Sequence, residues 1–291
     1  MAVYMSTGAF RSKELAEIIA FSVDHGIGRV ELSSGLVYQP NLLEQVRATF
    51  RTQITYLVHN YFPPAEQPFV LNLASADQHI RQLSLHVCRR AIDLSNELEA
   101  PFYSVHSGFA FNMSPDLLGK PMSQRKIPEH SYIPYDQAYN IFAENVMTLT
   151  EYARSKGIRF LIENNVIAPA YAAKCDPRAI LMASHDEIVR LMSDVDDPNL
   201  GVLVDVGHVS VTANALGFRR EDFIEKLAPY IGAFHVSDND GQKDQNLPFD
   251  QDAWFCPFLC RFPGVPIVIE AYGLTWRQME EQYRILDEVT Q

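Results

Sequence analysis

The chain has 291 residues, a length that fits one large α/β barrel or two small domains, and 47% of them are hydrophobic, enough for a sizeable core. Acidic residues outnumber basic ones, 36 to 24, for a formal net charge of −12, a field that repels the phosphate backbone a nucleic-acid binder must neutralise. There is no run of eighteen apolar residues and no basic stretch leading into an apolar one at the start, so neither a membrane span nor a secretory signal is expected, and a cytoplasmic setting is the default.

Short β-rich runs alternate with longer amphipathic ones. VYMSTG opens as the first strand, and residues 13–25 follow as a helix. GRVELSS (28–34) is the second strand and ITYLVHNYF (54–62) the third. Residues 79–99 read as a strong helix, with Ile80, Leu83, Val87, Ala91 and Leu94 at helical spacing. FYSVHSG (102–108) is the fourth strand, and 135–156 the next helix, with Gly157 as its stop. RFLIENN (159–165) is the fifth strand, followed by a helix over 186–194; LGVLVDVGH (200–208) is the sixth, followed by a helix over 220–227. IGAFHVSD (231–238) is the seventh and VPIVIEAYG (265–273) the eighth, and a helix over 276–289 closes the chain.

Eight near-continuous apolar strands, all but the seventh clearly followed by a helix, predict a (β/α)8 barrel, read as one domain over 1–291. An open doubly wound sheet would want a glycine-rich phosphate turn after its first strand, and GxGxxG is absent. Two connections exceed plain turns, 109–134 and 166–184, and both fall on the face where barrel active sites form. The first carries Phe109, Phe111, Arg125, Lys126, His130 and Tyr132, which are equally readable as a substrate grip or a solvated loop. Of the four cysteines, Cys256 and Cys260 in WFCPFLC form the one close pair; their apolar neighbours suggest packing, since no second pair completes a zinc set.

The chemistry is expected where the strands end. His59, His106, Glu163, Asp205, His208, His235, Asp238 and Glu270 each follow an apolar run, as in YLVH, YSVH, FLIE, VLVD, AFH and IVIE. A single strand-end histidine is ordinarily a satisfied core residue. Six strands ending in His, Asp or Glu with few Lys or Arg beside them are poorly explained that way, because a buried carboxylate is costly unless paired or bound to a cation. The donors are oxygen and imidazole without thiolate, which suits Mn, Mg, Co, Fe or Zn and does not choose among them.

At these residues the chain resembles the xylose-isomerase-like barrel superfamily, which holds sugar isomerases and epimerases, related dehydratases and apurinic endonucleases of the endonuclease IV type. The likeness runs from VELSSG to IVIEAYG and is carried by FLIENN, VLVDVGH, FHVSDNDG and IVIEAYG as a set. It implies that Glu163, Asp205, His235 and Glu270 hold a metal and that His208 is the companion histidine. It also places His59 and His106 on two histidines that the endonuclease branch uses for another metal. One position departs: where that branch has an acid-x-His pair for a third zinc, this chain has Asp244-Gln245-Asn246, and a neutral amide is a poor substitute for imidazole.

The first functional reading is therefore isomerisation or epimerisation of a sugar, sugar phosphate or cyclitol, by proton transfer through an enediolate between Glu163 and Glu270. Dehydration at the same site is a near variant. The second is metal-assisted phosphodiester hydrolysis, with His59 and His106 on a second ion; the acidic surface and Asn246 count against it. The expected partner is a small sugar-like molecule. Barrels of this type often pair, so a homo-oligomer is compatible with the reading.

Overall fold

The computed structural model describes residues 2–33, 35–50, 53–117, 127 and 131–290. Eight parallel strands close on themselves in chain order: β1 (Val3–Ser6), β2 (Arg29–Leu32), β3 (Thr55–His59), β4 (Phe102–His106), β5 (Arg159–Glu163), β6 (Leu200–Asp205), β7 (Ile231–Val236) and β8 (Ile267–Ile269). β1 pairs with β8 through Val3↔Ile267 and Met5↔Ile269, which shuts the barrel and leaves no sheet edge.

Outside the barrel run α1 (Leu15–Asp24), α2 (Leu42–Thr49), α3 (Gln78–Glu97), α4 (Tyr135–Ser155), α5 (Pro169–Ala172), α6 (His185–Val195), α7 (Val206–Leu216), α8 (Arg220–Leu227), α9 (Cys256–Leu259) and α10 (Trp276–Val289). Local chemistry sets their ends. The Asp77 carboxylate accepts from His79 N and Ile80 N at the start of α3. Thr275 and Gln278 form a reciprocal capping box on α10. Gly157, at φ 72°, follows α4 in the left-handed conformation that an expected helix stop requires.

The strands are shorter than the sequence suggests, and the difference matters most at the sixth. It ends at Asp205 rather than His208, because the Asp205 side chain accepts from His208 N and caps α7 at once. His208 is thus a first-turn helical residue. The seventh strand is followed by a long excursion with only the single turn of α9 before β8, which accounts for the weak helical signal there. In that turn Cys256 is buried and Cys260 exposed.

The two long connections meet. Phe109 bridges Ile180, Ala110 N donates to Ala179 O, and Leu181 N donates to Gly108 O, so the loops after β4 and β5 brace each other. Phe111 bridges Tyr132. Arg125, Lys126 and His130 lie outside the described residues, as does Ser34 of the second expected strand.

Side chains alternate in and out along each strand. A large core fills the space between strands and helices, and a second, smaller cluster of Tyr4, Leu57, Phe102, Leu161, Leu203, Ala233 and Val268 sits inside the barrel. Five of these stand two residues before His59, Glu163, Asp205, His235 and Glu270. The barrel is therefore plugged by an apolar layer, and the next inward-facing layer toward the C-terminal mouth is the polar one.

Candidate metal centre in the barrel mouth

Register brings the polar layer together: His106 lies beside Glu163 across β4–β5, and Asp205 beside His235 across β6–β7. Glu163, Asp205, His235 and Glu270 each offer one ligand atom, and the four atoms lie within 4.8 Å of one another. Two further triples satisfy the same distance, His59 with His106 and Glu163, and Glu31 with His59 and His235. Glu163, His235 and Glu31 have no exposed surface, and Asp205, His59, His208 and Glu270 are also buried.

The contacts are specific. His235 Nδ1 lies 2.8 Å from Glu270 Oε2, 3.7 Å from Glu163 Oε1 and 4.0 Å from Asp205 Oδ2. Its Nε2 lies 3.0 Å from Glu31 Oε2. His59 Nδ1 meets Ser104 Oγ at 2.9 Å, which turns Nε2 toward Glu163 Oε2 at 3.2 Å; His106 Nε2 is 3.4 Å from the same oxygen. His208 Nδ1–H donates to Asn164 O at 2.8 Å, leaving Nε2 3.3 Å from Asp244 Oδ2 and 3.8 Å from Asp205 Oδ2. The Asn164 side chain fixes Asp205 by accepting from its N–H at 2.8 Å and donating to its carbonyl at 3.2 Å.

The electrostatics are split. Burial raises the Glu163 carboxyl, but the His106, His59 and His235 rings outweigh it and hold the group well below the ordinary carboxylate range. Burial raises Asp205, and with Glu270, Glu163 and Asp244 crowding it the group stays well above its usual value despite His208. Burial disfavours a charged His235, yet Glu270 and Glu31 carry it well above the usual histidine value. Burial likewise raises Glu270, and His235 overrides that to bring it down to about 2. Three acids this close cannot all ionise without cationic neighbours.

Both oxygens of Glu163 and Oδ2 of Asp205 are buried without an aligned hydrogen-bond donor among the described residues. Orphaned anionic oxygens of this kind fit a cation, and the oxygen and imidazole donor set fits a hard or borderline divalent ion.

Of the residues expected to converge, His59, His106, Glu163, Asp205, His208, His235, Asp244 and Glu270 all do. Asp238 does not join them: its Oδ1 accepts from Asn239 N, and its backbone pairs with Leu247. The sequence reading did not single out Glu31, Ser104, Asn164 or Tyr272. Tyr272 is 53% exposed at the rim, its hydroxyl 3.4 Å from Glu270 Oε1 and its ring packed on Gly8, where a Cβ would stand 2.6 Å from Cε1. A separate cavity of about 550 Å³, between α1 and α10 and walled by Phe10, Phe21 and Trp276, includes none of these centre residues.

A closed parallel barrel with carboxylates and imidazoles gathered at its C-terminal end defines a class, the (β/α)8 barrels with a candidate metal centre in the mouth. The chain belongs to the xylose isomerase-like TIM barrel family, whose model matches residues 19–284. It is 27% identical over 200 residues to an uncharacterised protein of Methanocaldococcus jannaschii, covering 68% of this chain and 56% of that one. It is 21% identical over 208 residues to fructoselysine 3-epimerase of Shigella flexneri, covering 69% and 61%. It is also 25% identical over 218 residues to a probable endonuclease 4 of Thermoplasma acidophilum, covering 73% and 63%. The matches thus span less than two thirds of these relatives' own lengths. Among solved structures, a D-tagatose 3-epimerase-like protein superposes with a TM-score of 0.75 at 21% identity, over 99% of this chain and 97% of that one.

Proposed function

We propose that the protein is a divalent-metal-dependent isomerase or epimerase of a sugar, sugar phosphate or cyclitol. The observation that carries this reading is the meeting of Glu163, Asp205, His235 and Glu270 around buried carboxylate oxygens that lack an aligned hydrogen-bond donor. Likeness to a fructoselysine 3-epimerase supports the sugar substrate class.

These four residues would hold the ion, which would be Mn, Mg, Co, Fe or Zn. When bound, it supplies the Lewis acidity that polarises a hydroxy-carbonyl substrate and acidifies its neighbouring C–H. The chain's own groups do the rest. Glu163 and Glu270 enter from positions three strands apart around the barrel, so two carboxylates face the reacting carbon from different directions. One, as carboxylate, removes the proton to give an enediolate; the other, as the carboxylic acid, donates its own proton to the opposite face or to the adjacent carbon, and exchange with solvent restores both. His208, with its Nδ1 proton committed to Asn164, carries a proton at Nε2 beside Asp244 and Asp205 and donates toward a substrate oxygen. Tyr272 forms one wall of the mouth. The apolar layer beneath excludes water from below.

The test is a panel of ketoses and cyclitol ketones with Mn2+ in deuterated water. Deuterium should enter the carbon-bound position of a substrate, and should not do so with Glu163→Gln or Glu270→Gln. No exchange with any member of the panel counts against the reading.

A second reading, phosphodiester hydrolysis, is favoured by the second triple, His59, His106 and Glu163, and by likeness to a probable endonuclease 4. Cleavage of an abasic-site oligonucleotide, lost with His59→Ala, would promote it. Asn246 in place of an imidazole and the net charge of −12 oppose it.

A further inference from the structure

Among the buried polar groups of the barrel, Glu31 has no task in the chemistry above. It lies on β2, one strand along from Ser6 and one before Leu57, and has no exposed surface. No Lys or Arg is within ion-pair distance of it among the described residues. Its Oε2 faces His235 Nε2 at 3.0 Å, and its Oε1 is buried without a partner. His235 presents its other nitrogen, Nδ1, to Glu270, Glu163 and Asp205.

We propose that Glu31 is a positioning residue for the metal centre: it accepts the Nε2–H of His235 and thereby commits Nδ1 to the ion. A histidine ligand has two nitrogens and two neutral tautomers, and the acceptor on the far nitrogen decides which one carries the proton. A carboxylate in that place fixes the tautomer, locks the ring's rotation and raises the donor strength of the near nitrogen. Glu31 reaches Nε2, and the three ligand carboxylates reach Nδ1, so the two roles are divided across the ring. The competing assignment makes Glu31 itself a ligand, with His59 and His235, of another ion. That would require His235 to bind one ion through Nδ1 and another through Nε2.

The inference rests on the four-residue metal reading, and the test separates the two. Mn2+ binding to the full chain is measured by calorimetry for the natural protein and for Glu31→Gln. The glutamine keeps the shape but removes the charge, and affinity should fall about 10- to 100-fold with the number of ions per chain unchanged. Equal affinity in the two proteins overturns the Glu31 assignment alone, and so does the loss of one ion with the remainder binding as before. Failure of the natural protein to bind Mn2+ or Zn2+ overturns the metal reading, and this inference with it. Should Glu31→Gln not fold, nitrogen-15 spectra of the natural protein loaded with Zn2+ decide the matter. His235 should carry its proton on Nε2 and its metal on Nδ1, and the reverse pattern ends the proposal.

Discussion

Glu163 concentrates the tension of the site in one side chain. It is fully buried, its two oxygens lack aligned donors, and three histidines crowd it. Burying the carboxylate costs desolvation, which the imidazoles offset, and oxygens without an aligned donor suit a cation. Glu163→Gln removes the anion that the His59, His106 and His235 rings hold ionised, so the metal-free protein is expected to lose stability while turnover falls by about 10²–10⁴-fold. Thermal melts in chelator and the deuterium exchange assay check the two halves separately. Glu270 differs in having His235 at 2.8 Å as a partner, so Glu270→Gln leaves that imidazole with one carboxylate fewer. It should lose turnover equally and also lose stability, because His235 holds the Glu270 carboxyl down. Glu163→Gln that melts as high as the natural chain in chelator would contradict the view that the imidazoles stabilise its ionised form.

The strands were legible as elements because parallel barrel strands are apolar on both faces and stand out from amphipathic helices. Their ends were not, since strand and cap use the same residue types. In VLVDVGH the apolar run continues past the point where Asp205 turns the chain, and only the capping contact to His208 N marks the break. Asp205, Glu163, His235 and Glu270 were visible because each interrupts a long apolar run. Glu31 was not: in RVEL it follows Arg29 and Val30 and precedes Leu32, so it ends no apolar run. Tyr272 was hidden because no pattern marks a rim aromatic. Other consequences belong to particular elements. On α6, Glu187 accepts from Met182 N at 2.7 Å, while burial pushes its carboxyl up to about 7. A carboxyl raised in the folded state contributes stability that is complete below the unfolded value and lost as pH rises through the folded one. Stability should therefore decline between about pH 4.5 and pH 7, and Glu187→Gln should flatten that slope in urea titrations across this range. On β6 and β7, Cβ atoms added at Gly201 or Gly232 would stand 2.7 Å from Leu161 Cδ2, so that fully buried side chain would have to shift. Gly201→Ala and Gly232→Ala should each cost about 1–3 kcal/mol in denaturant unfolding. Unaltered midpoints would mean the barrel floor is looser than its packing implies.

At the scale of the molecule, the closed barrel acts as a frame that holds like charges together against their repulsion. The four metal-site residues come from four separate strands or strand ends, so their proximity is maintained by the closed sheet and by the apolar layer beneath it. A net charge of −12 adds a long-range field that attracts a divalent cation and repels a polyanion. An ion that binds only the folded chain then reports on the whole fold by mass action. At a free Mn2+ concentration a hundred times its dissociation constant, the gain is about 2.7 kcal/mol. A domain of this size converts that into a rise in Tm of roughly 5–10 °C. Melting temperature should climb with the logarithm of Mn2+ concentration and fall back in chelator. Asp205→Asn should abolish the climb without unfolding the chain, because its amide can still accept from His208 N and cap α7. His106→Ala should leave the climb intact, since that ring belongs to the other triple. If the natural chain melts identically with and without divalent ions at saturating concentration, the polar layer is held by hydrogen bonds and proton sharing alone, and proton-transfer chemistry that depends on a cation has no place in this barrel.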